Sequence, residues 1–117
     1  MIAEELEGEF EELLRIRRRD LAAQENDALA DLDGVRDSRS AATADDEHDP
    51  EGSTLSEEWS QLNGRVAGSR ARIVEIDAAL ERLAAGTYGW CQSCGRPIPL
   101  DRLRVRPESR LCVRCAS

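Results

Sequence analysis

Aromatic residues are nearly missing from this 117-residue sequence, which holds one Phe, one Tyr and two Trp. That scarcity argues against a broad aromatic core and against sandwich or barrel architectures. Lysine is absent altogether, so every basic residue is Arg. No stretch approaches the roughly 18–20 consecutive apolar residues that span a bilayer. The opening MIAEELEGEF has neither the basic start nor the apolar run of a signal peptide. These absences predict a cytoplasmic protein with no membrane partner. A nucleophile paired with a base and a phosphate-cradling loop are missing too, so no enzyme is expected.

What is present is charge and helix-forming side chains. Charged residues make up 34% of the chain, and Ala, Leu, Glu and Arg dominate. The charge is uneven: residues 1–90 carry 10 Arg against 22 Asp plus Glu, a net of −12, while residues 91–117 carry 6 Arg against 2 acids, a net of +4, which together give −8. The acidic part repels nucleic-acid phosphates, so its natural partner is a basic protein surface or a cation.

Apolar residues recur at Leu55, Trp59, Leu62, Val66, Ile73, Ile76, Leu80 and Leu83, with Ser69 filling the one remaining place in a 4-3 alternation. This is a heptad seam. Thr54 with Glu57 forms a capping-box pattern, and Gly86 is a helix-ending glycine, so the spacing predicts a helix from near Thr54 to near Gly86. An earlier helix shows a leakier seam: Phe10, Leu14, Leu21, Ala28 and Val35 fit, but Arg17, Gln24 and Asp31 stand between them, with Leu13, Leu29 and Leu32 alongside. Residues 44–53, ADDEHDPEGS, carry the breakers Pro50 and Gly52. So short a connection folds the helices back on each other. A turn near His48 and Asp49 would bring Arg15, Arg17, Arg18 and Arg19 beside Asp77 and Glu81, and Glu11 and Arg15 form an i to i+4 pair. Gly34 would face Asn63 and Gly64; with Gly68 these glycines mark either a soft point or surface drift.

All four cysteines stand in C-x2-C-x17-C-x2-C: Cys91, Cys94, Cys112 and Cys115. Four thiolates so spaced can surround one Zn2+ in a closed, structural, non-catalytic site. Two disulfides or a redox pair is the alternative, which a reducing compartment disfavours. Gly95 suits a tight turn after the first pair. Ile98, Leu103 and Val105 are the few side chains able to pack around the metal, Tyr88 and Trp90 to cover it, and Trp59 reads as core. With so little apolar area the unit depends on the metal for its fold. The expected class is all-α: a long antiparallel helical hairpin (coiled coil) over 1–86 with an acidic tip at 44–53, then a small four-cysteine zinc finger over 87–117.

The segment GTYGWCQSCGRPIPLDRLRVRPESRLCVRC, with its Gly-x-Tyr-Gly-x-Cys-x-x-Cys-Gly-x-x-Ile opening, Arg-Leu, Arg-Pro and final Cys-x-x-Cys, closely resembles the zinc finger of the DksA/TraR family. The hairpin ahead of it agrees in architecture and order. The resemblance implies a regulator that binds RNA polymerase, its coiled coil entering the secondary channel and its tip acids acting near the catalytic Mg2+ to alter initiation, often with a guanosine tetraphosphate alarmone. It makes Asp45, Asp46, Glu47, Asp49 and Glu51 the partner-binding group. Asp46 and Asp49 fit the first two places of the family's Asp-x-x-Asp-x-Ala signature, but Glu51 replaces its Ala and Pro50 stiffens the turn. The sequence ends two residues after Cys115, without the C-terminal helix of longer members.

Two other classes compete. A nucleic-acid-binding zinc ribbon could use Arg96, Arg102, Arg104, Arg106, Arg110 and Arg114 on phosphates, but four thiolates on one Zn2+ leave the site at −2 and no helix follows Cys115 to enter a groove. Direct DNA binding is therefore not expected. A coiled-coil adaptor would dimerise through the seam, whereas the polymerase-binding reading expects a monomer.

Overall fold

The computed structural model of the chain describes the backbone of residues 4–45 and 51–116 and the side chains of residues 4–37 and 56–116. Four helices follow one another: α1 (Glu4–Asp45), α2 (Glu51–Ala85), α3 (Leu100–Val105) and α4 (Val113–Ala116). The one pairing of extended backbone among the described residues is an isolated antiparallel bridge between Trp90 and Pro97. The chain is all-α, a helical hairpin followed by a four-cysteine unit.

Local chemistry accounts for the long helices. Neither contains proline, and α1 opens with Glu4, Glu5 and Glu7, whose carboxylates meet the positive end of the helix dipole. The α2 helix begins at Glu51, three residues before the expected Thr54, and so includes Gly52. One glycine in a first turn costs only about 1 kcal/mol, too little to stop a helix that the downstream seam stabilises. At its other end α2 stops as expected. Gly86 adopts φ +78, its N–H donates to the Leu83 carbonyl at 3.2 Å, and the Thr87 N–H donates to the Arg82 carbonyl at 2.9 Å. This is a Schellman motif, which needs the left-handed backbone that glycine reaches without strain.

The chain forms two compact units, one continuous (Leu21–Ala71) and one joining Met1–Asp20 to Arg72–Ser117. In the continuous unit, Ala28, Leu32 and Val35 of α1 pack with Leu62 and Val66 of α2, and half-buried Trp59 lies against them. Here the seam of α1 departs from expectation. Glu25 and Leu32 turn inward while Gln24 and Asp31 stay exposed. The heptad survives with its steps exchanged, because burying Leu32 is favourable and burying an unpaired Asp31 carboxylate is not. The Glu25 carboxylate keeps a partner, Arg70. Ser69 is buried at its seam position, as the spacing placed it.

In the discontinuous unit Phe10, Leu14, Ile76 and Ala79 are fully buried, together with Leu103 of α3 and Ile98. Arg18 Nε donates to Asp77 Oδ1 at 2.7 Å and its Nη2 to Oδ2 at 3.3 Å, the cross-helix pairing that the fold-back implied. Arg15 pairs with Glu11 at 2.9 Å. From Arg18 to Glu25 the chain advances seven residues while their partners retreat seven, from Asp77 to Arg70, as antiparallel helices require. Arg17, however, faces neither acid of α2. Its Nε lies 2.9 Å from Glu108 Oε2 in the four-cysteine unit.

Candidate metal centre

Two short backbone devices bring the cysteines together. After Cys91 the chain turns so that the Gly95 N–H donates to the Cys91 carbonyl at 2.9 Å, and Gly95 takes φ +74. The Cys91 N–H returns to the Arg96 carbonyl at 2.8 Å. Cys112 precedes α4 and Cys115 lies in it, with the Ala116 N–H donating to the Cys112 carbonyl at 3.0 Å. A Gln92 N–H to Arg110 carbonyl bond of 2.9 Å ties the two devices to each other.

The result is a cluster in which one sulfur from each of Cys91, Cys94, Cys112 and Cys115 lies within 4.8 Å of the others. The Cys94 and Cys112 sulfurs are 3.8 Å apart. Four sulfurs at about 2.3 Å around a tetrahedral Zn2+ have edges of about 3.8 Å, so the donor set fits one zinc ion with no open position. Sulfurs at that spacing are not bonded to each other, and all four cysteines are free thiols.

The electrostatics show why the cluster needs a cation. Backbone N–H groups of Cys112, then of Cys94, pull the Cys91 thiol down to about 6, with burial opposing them. The Cys115 backbone likewise lowers Cys112. Cys115, which shares its proton with the Cys112 sulfur, is pushed up to about 12. Charge accumulating on neighbouring sulfurs resists the last ionisation, and a dication removes that resistance.

Of the packing roles expected from the sequence, three are met and three are not. Ile98 and Leu103 are buried, and Trp59 packs in the core of its own unit. Val105 is exposed at 75%, because α3 turns Leu103 inward and so presents Val105 outward. Trp90 is also exposed, and Tyr88 packs on Phe10 and donates its hydroxyl to the Pro107 carbonyl at 2.7 Å. Tyr88 is thus committed to docking the finger against α1. Of the acids expected at the tip, Asp46, Glu47 and Asp49 lie outside the described residues, as does His48. Asp45 ends α1 and Glu51 starts α2, their side chains outside the description.

Spacing did not reveal a cleft of about 350 Å3 between α2 and the finger, lined by Val74, Arg82, Arg102, Arg106, Arg110 and Leu111, with Glu75 and Glu108 in its wall. Arg102 Nε is held by the Leu111 carbonyl at 3.0 Å. Desolvation pulls the Arg82 guanidinium below the usual arginine range, opposed by Tyr88 and reinforced by Arg110, and its enclosed Nη2 has no hydrogen-bond partner. The only advance signal was the basic excess of residues 91–117.

A helical hairpin carrying a C4 zinc finger is the class that fold and site define. Residues 86–117 match the prokaryotic dksA/traR C4-type zinc finger family. A protein of Aquifex aeolicus (strain VF5) is 50% identical over 46 residues, 39% of this chain and 32% of that protein. The RNA polymerase-binding transcription factor DksA of Caulobacter vibrioides (strain NA1000 / CB15N) is 46% identical over 44 residues, 38% of this chain and 31% of its own. These matches span about a third of the curated relatives' length. Likeness of fold extends further: the structure of transcription factor DksA2 from Pseudomonas aeruginosa covers 97% of this chain and 81% of its own, with a TM-score of 0.80 and 29% identity. Residues 86–117 are thus a zinc finger of the DksA/TraR C4 type on a chain whose fold is like that of DksA2, and the cofactor is one structural zinc.

Proposed function

We propose that this protein is a transcription regulator that binds RNA polymerase as a monomer, inserts its coiled coil into the secondary channel and modulates initiation. The observation that carries the reading is the DksA2 likeness along 97% of the chain, joined to curated relatives named as RNA polymerase-binding transcription factors. Cys91, Cys94, Cys112 and Cys115 hold the zinc and keep the finger folded; Asp45, Asp46, Glu47, Asp49 and Glu51 are the acting group. Five carboxylates within seven residues suit a cavity that presents Mg2+ or basic side chains. The cleft supports the alarmone part of this reading, since Arg82, Arg106 and Arg110 line it and a guanosine tetraphosphate carries the negative charge that such guanidinium groups can hold.

The zinc-ribbon reading has less support. Arg102 is engaged with the Leu111 carbonyl and Arg104 with Glu9 at 3.4 Å. The test is in vitro transcription with purified polymerase, comparing the intact protein with a variant in which Asp45, Asp46 and Asp49 are all changed to Asn. The intact protein is expected to alter initiation and the variant to bind polymerase without doing so. Equal behaviour of the two would remove the tip's role, and a steep loss of DNA affinity with salt would favour the zinc ribbon.

A further inference from the structure

The coiled-coil spacing reserves position 17 for an apolar side chain, yet Arg stands there, and α2 does not explain it. The explanation lies in the finger. Arg17 Nε sits 2.9 Å from Glu108 Oε2, and the Glu108 side chain is only 6% exposed. A carboxylate so enclosed requires a counter-charge. Neither atom has another partner, and the N–H is not aimed squarely at the oxygen, so the contact is an ion pair whose strength depends on the position of both backbones.

Those backbones are fixed from the finger side. The Ser109 N–H donates to the Arg106 carbonyl at 3.0 Å and closes the turn that carries Glu108. The preceding residue, Pro107, accepts the Tyr88 hydroxyl at 2.7 Å. The Arg110 carbonyl, two residues on, accepts the Gln92 N–H beside Cys91 at 2.9 Å. A continuous path of bonded groups therefore runs from the first cysteine pair through the 106–110 turn to α1.

We propose that Glu108 is a positioning residue through which the metal-loaded finger holds the first turns of α1, so that zinc occupancy is transmitted to the helix by the Arg17–Glu108 pair. The inference does not depend on what the hairpin binds. Arg17 is then a docking residue that interrupts the seam for a reason, and the finger closes the hairpin base as well as folding itself.

The test is hydrogen exchange by mass spectrometry on the zinc-loaded full chain, with zinc stoichiometry and far-ultraviolet helix content measured on the same samples. Glu108→Gln keeps the shape and removes the charge. It is expected to retain one zinc per chain while amides of residues 10–20 exchange roughly tenfold faster and those of 21–37 are unchanged. The charge-reversed double variant Arg17→Glu/Glu108→Arg is expected to restore protection. Unchanged exchange in Glu108→Gln would overturn the proposal. So would loss of zinc together with protection, which would make Glu108 part of the finger's own fold, and so would a double variant that restores nothing.

Discussion

The hydroxyl of Tyr88 donates a 2.7 Å hydrogen bond to the carbonyl of Pro107 from a side chain that is 3% exposed. The same ring lies 5.6 Å from Phe10, tilted by 47°. One residue thus fastens the finger loop to the finger's own start and both to α1. Phe10→Ala is expected to lower stability by about 3–5 kcal/mol through lost burial and the cavity left behind. Tyr88→Phe leaves the Pro107 carbonyl unpaired and should cost about 1–2 kcal/mol. Urea unfolding of the zinc-loaded protein checks both.

Burial pushes the Tyr88 hydroxyl well above the ordinary tyrosine value, with Arg82 opposing and Glu108 adding to the shift. The folded state therefore holds the proton more tightly than the unfolded state does. Its contribution to stability is complete below about pH 10 and is lost as pH rises beyond that. Tyr88 is the only tyrosine, so tyrosinate absorbance reports it alone. The absorbance is expected to appear above about pH 10, together with loss of structure; titration at the ordinary value in a folded chain would refute the burial argument.

Replacing any one of the four cysteines by Ser should lower zinc stoichiometry from one per chain towards zero, read by metallochromic titration. Because the ligands must lose protons to bind, acidification is expected to release zinc and unfold the finger. A variant retaining stoichiometric zinc without Cys112 would break the four-sulfur assignment.

The exchanged steps of the α1 seam make a sharp pair. Leu32→Ala is expected to cost about 2–5 kcal/mol, and Asp31→Ala to stay within about 0.5 kcal/mol. The reverse order would restore the register that strict extension of the Phe10–Leu14 heptad implies.

A Cβ at Gly34, Gly64 or Gly68 would meet nothing within 4 Å. Each Gly→Ala change should therefore stabilise the helix by about 0.5–1 kcal/mol, visible in thermal unfolding. Stabilised variants that lose their effect on transcription would identify the glycines as a soft point that function requires; stabilised and fully active ones would mark them as drift.

The hairpin and the cysteine cluster were legible because each rests on a short-range rule. The 4-3 spacing from Trp59 to Leu83 buries one stripe of a helix, and two Cys-x-x-Cys pairs at this separation suit one tetrahedral centre. Gly86 announced its turn because few other residues reach φ +78. What stayed hidden depended on neighbours far apart in sequence. Nothing local distinguishes Leu32 from Leu29, yet one is buried and the other exposed. Nothing near Arg17 points to an acid 91 positions later. Tyr88 stands three residues from a metal ligand, so proximity alone points it to the metal, whereas its ring packs on Phe10.

The division of the chain also sets an order of assembly. Residues 21–71 are consecutive, so their helices can meet while the rest is still on the ribosome. The other unit needs its first twenty residues to wait for its last forty-six, and the ion that organises the finger can be captured only after Cys115 has emerged. Closure of that unit is therefore expected to come last and to wait for the metal.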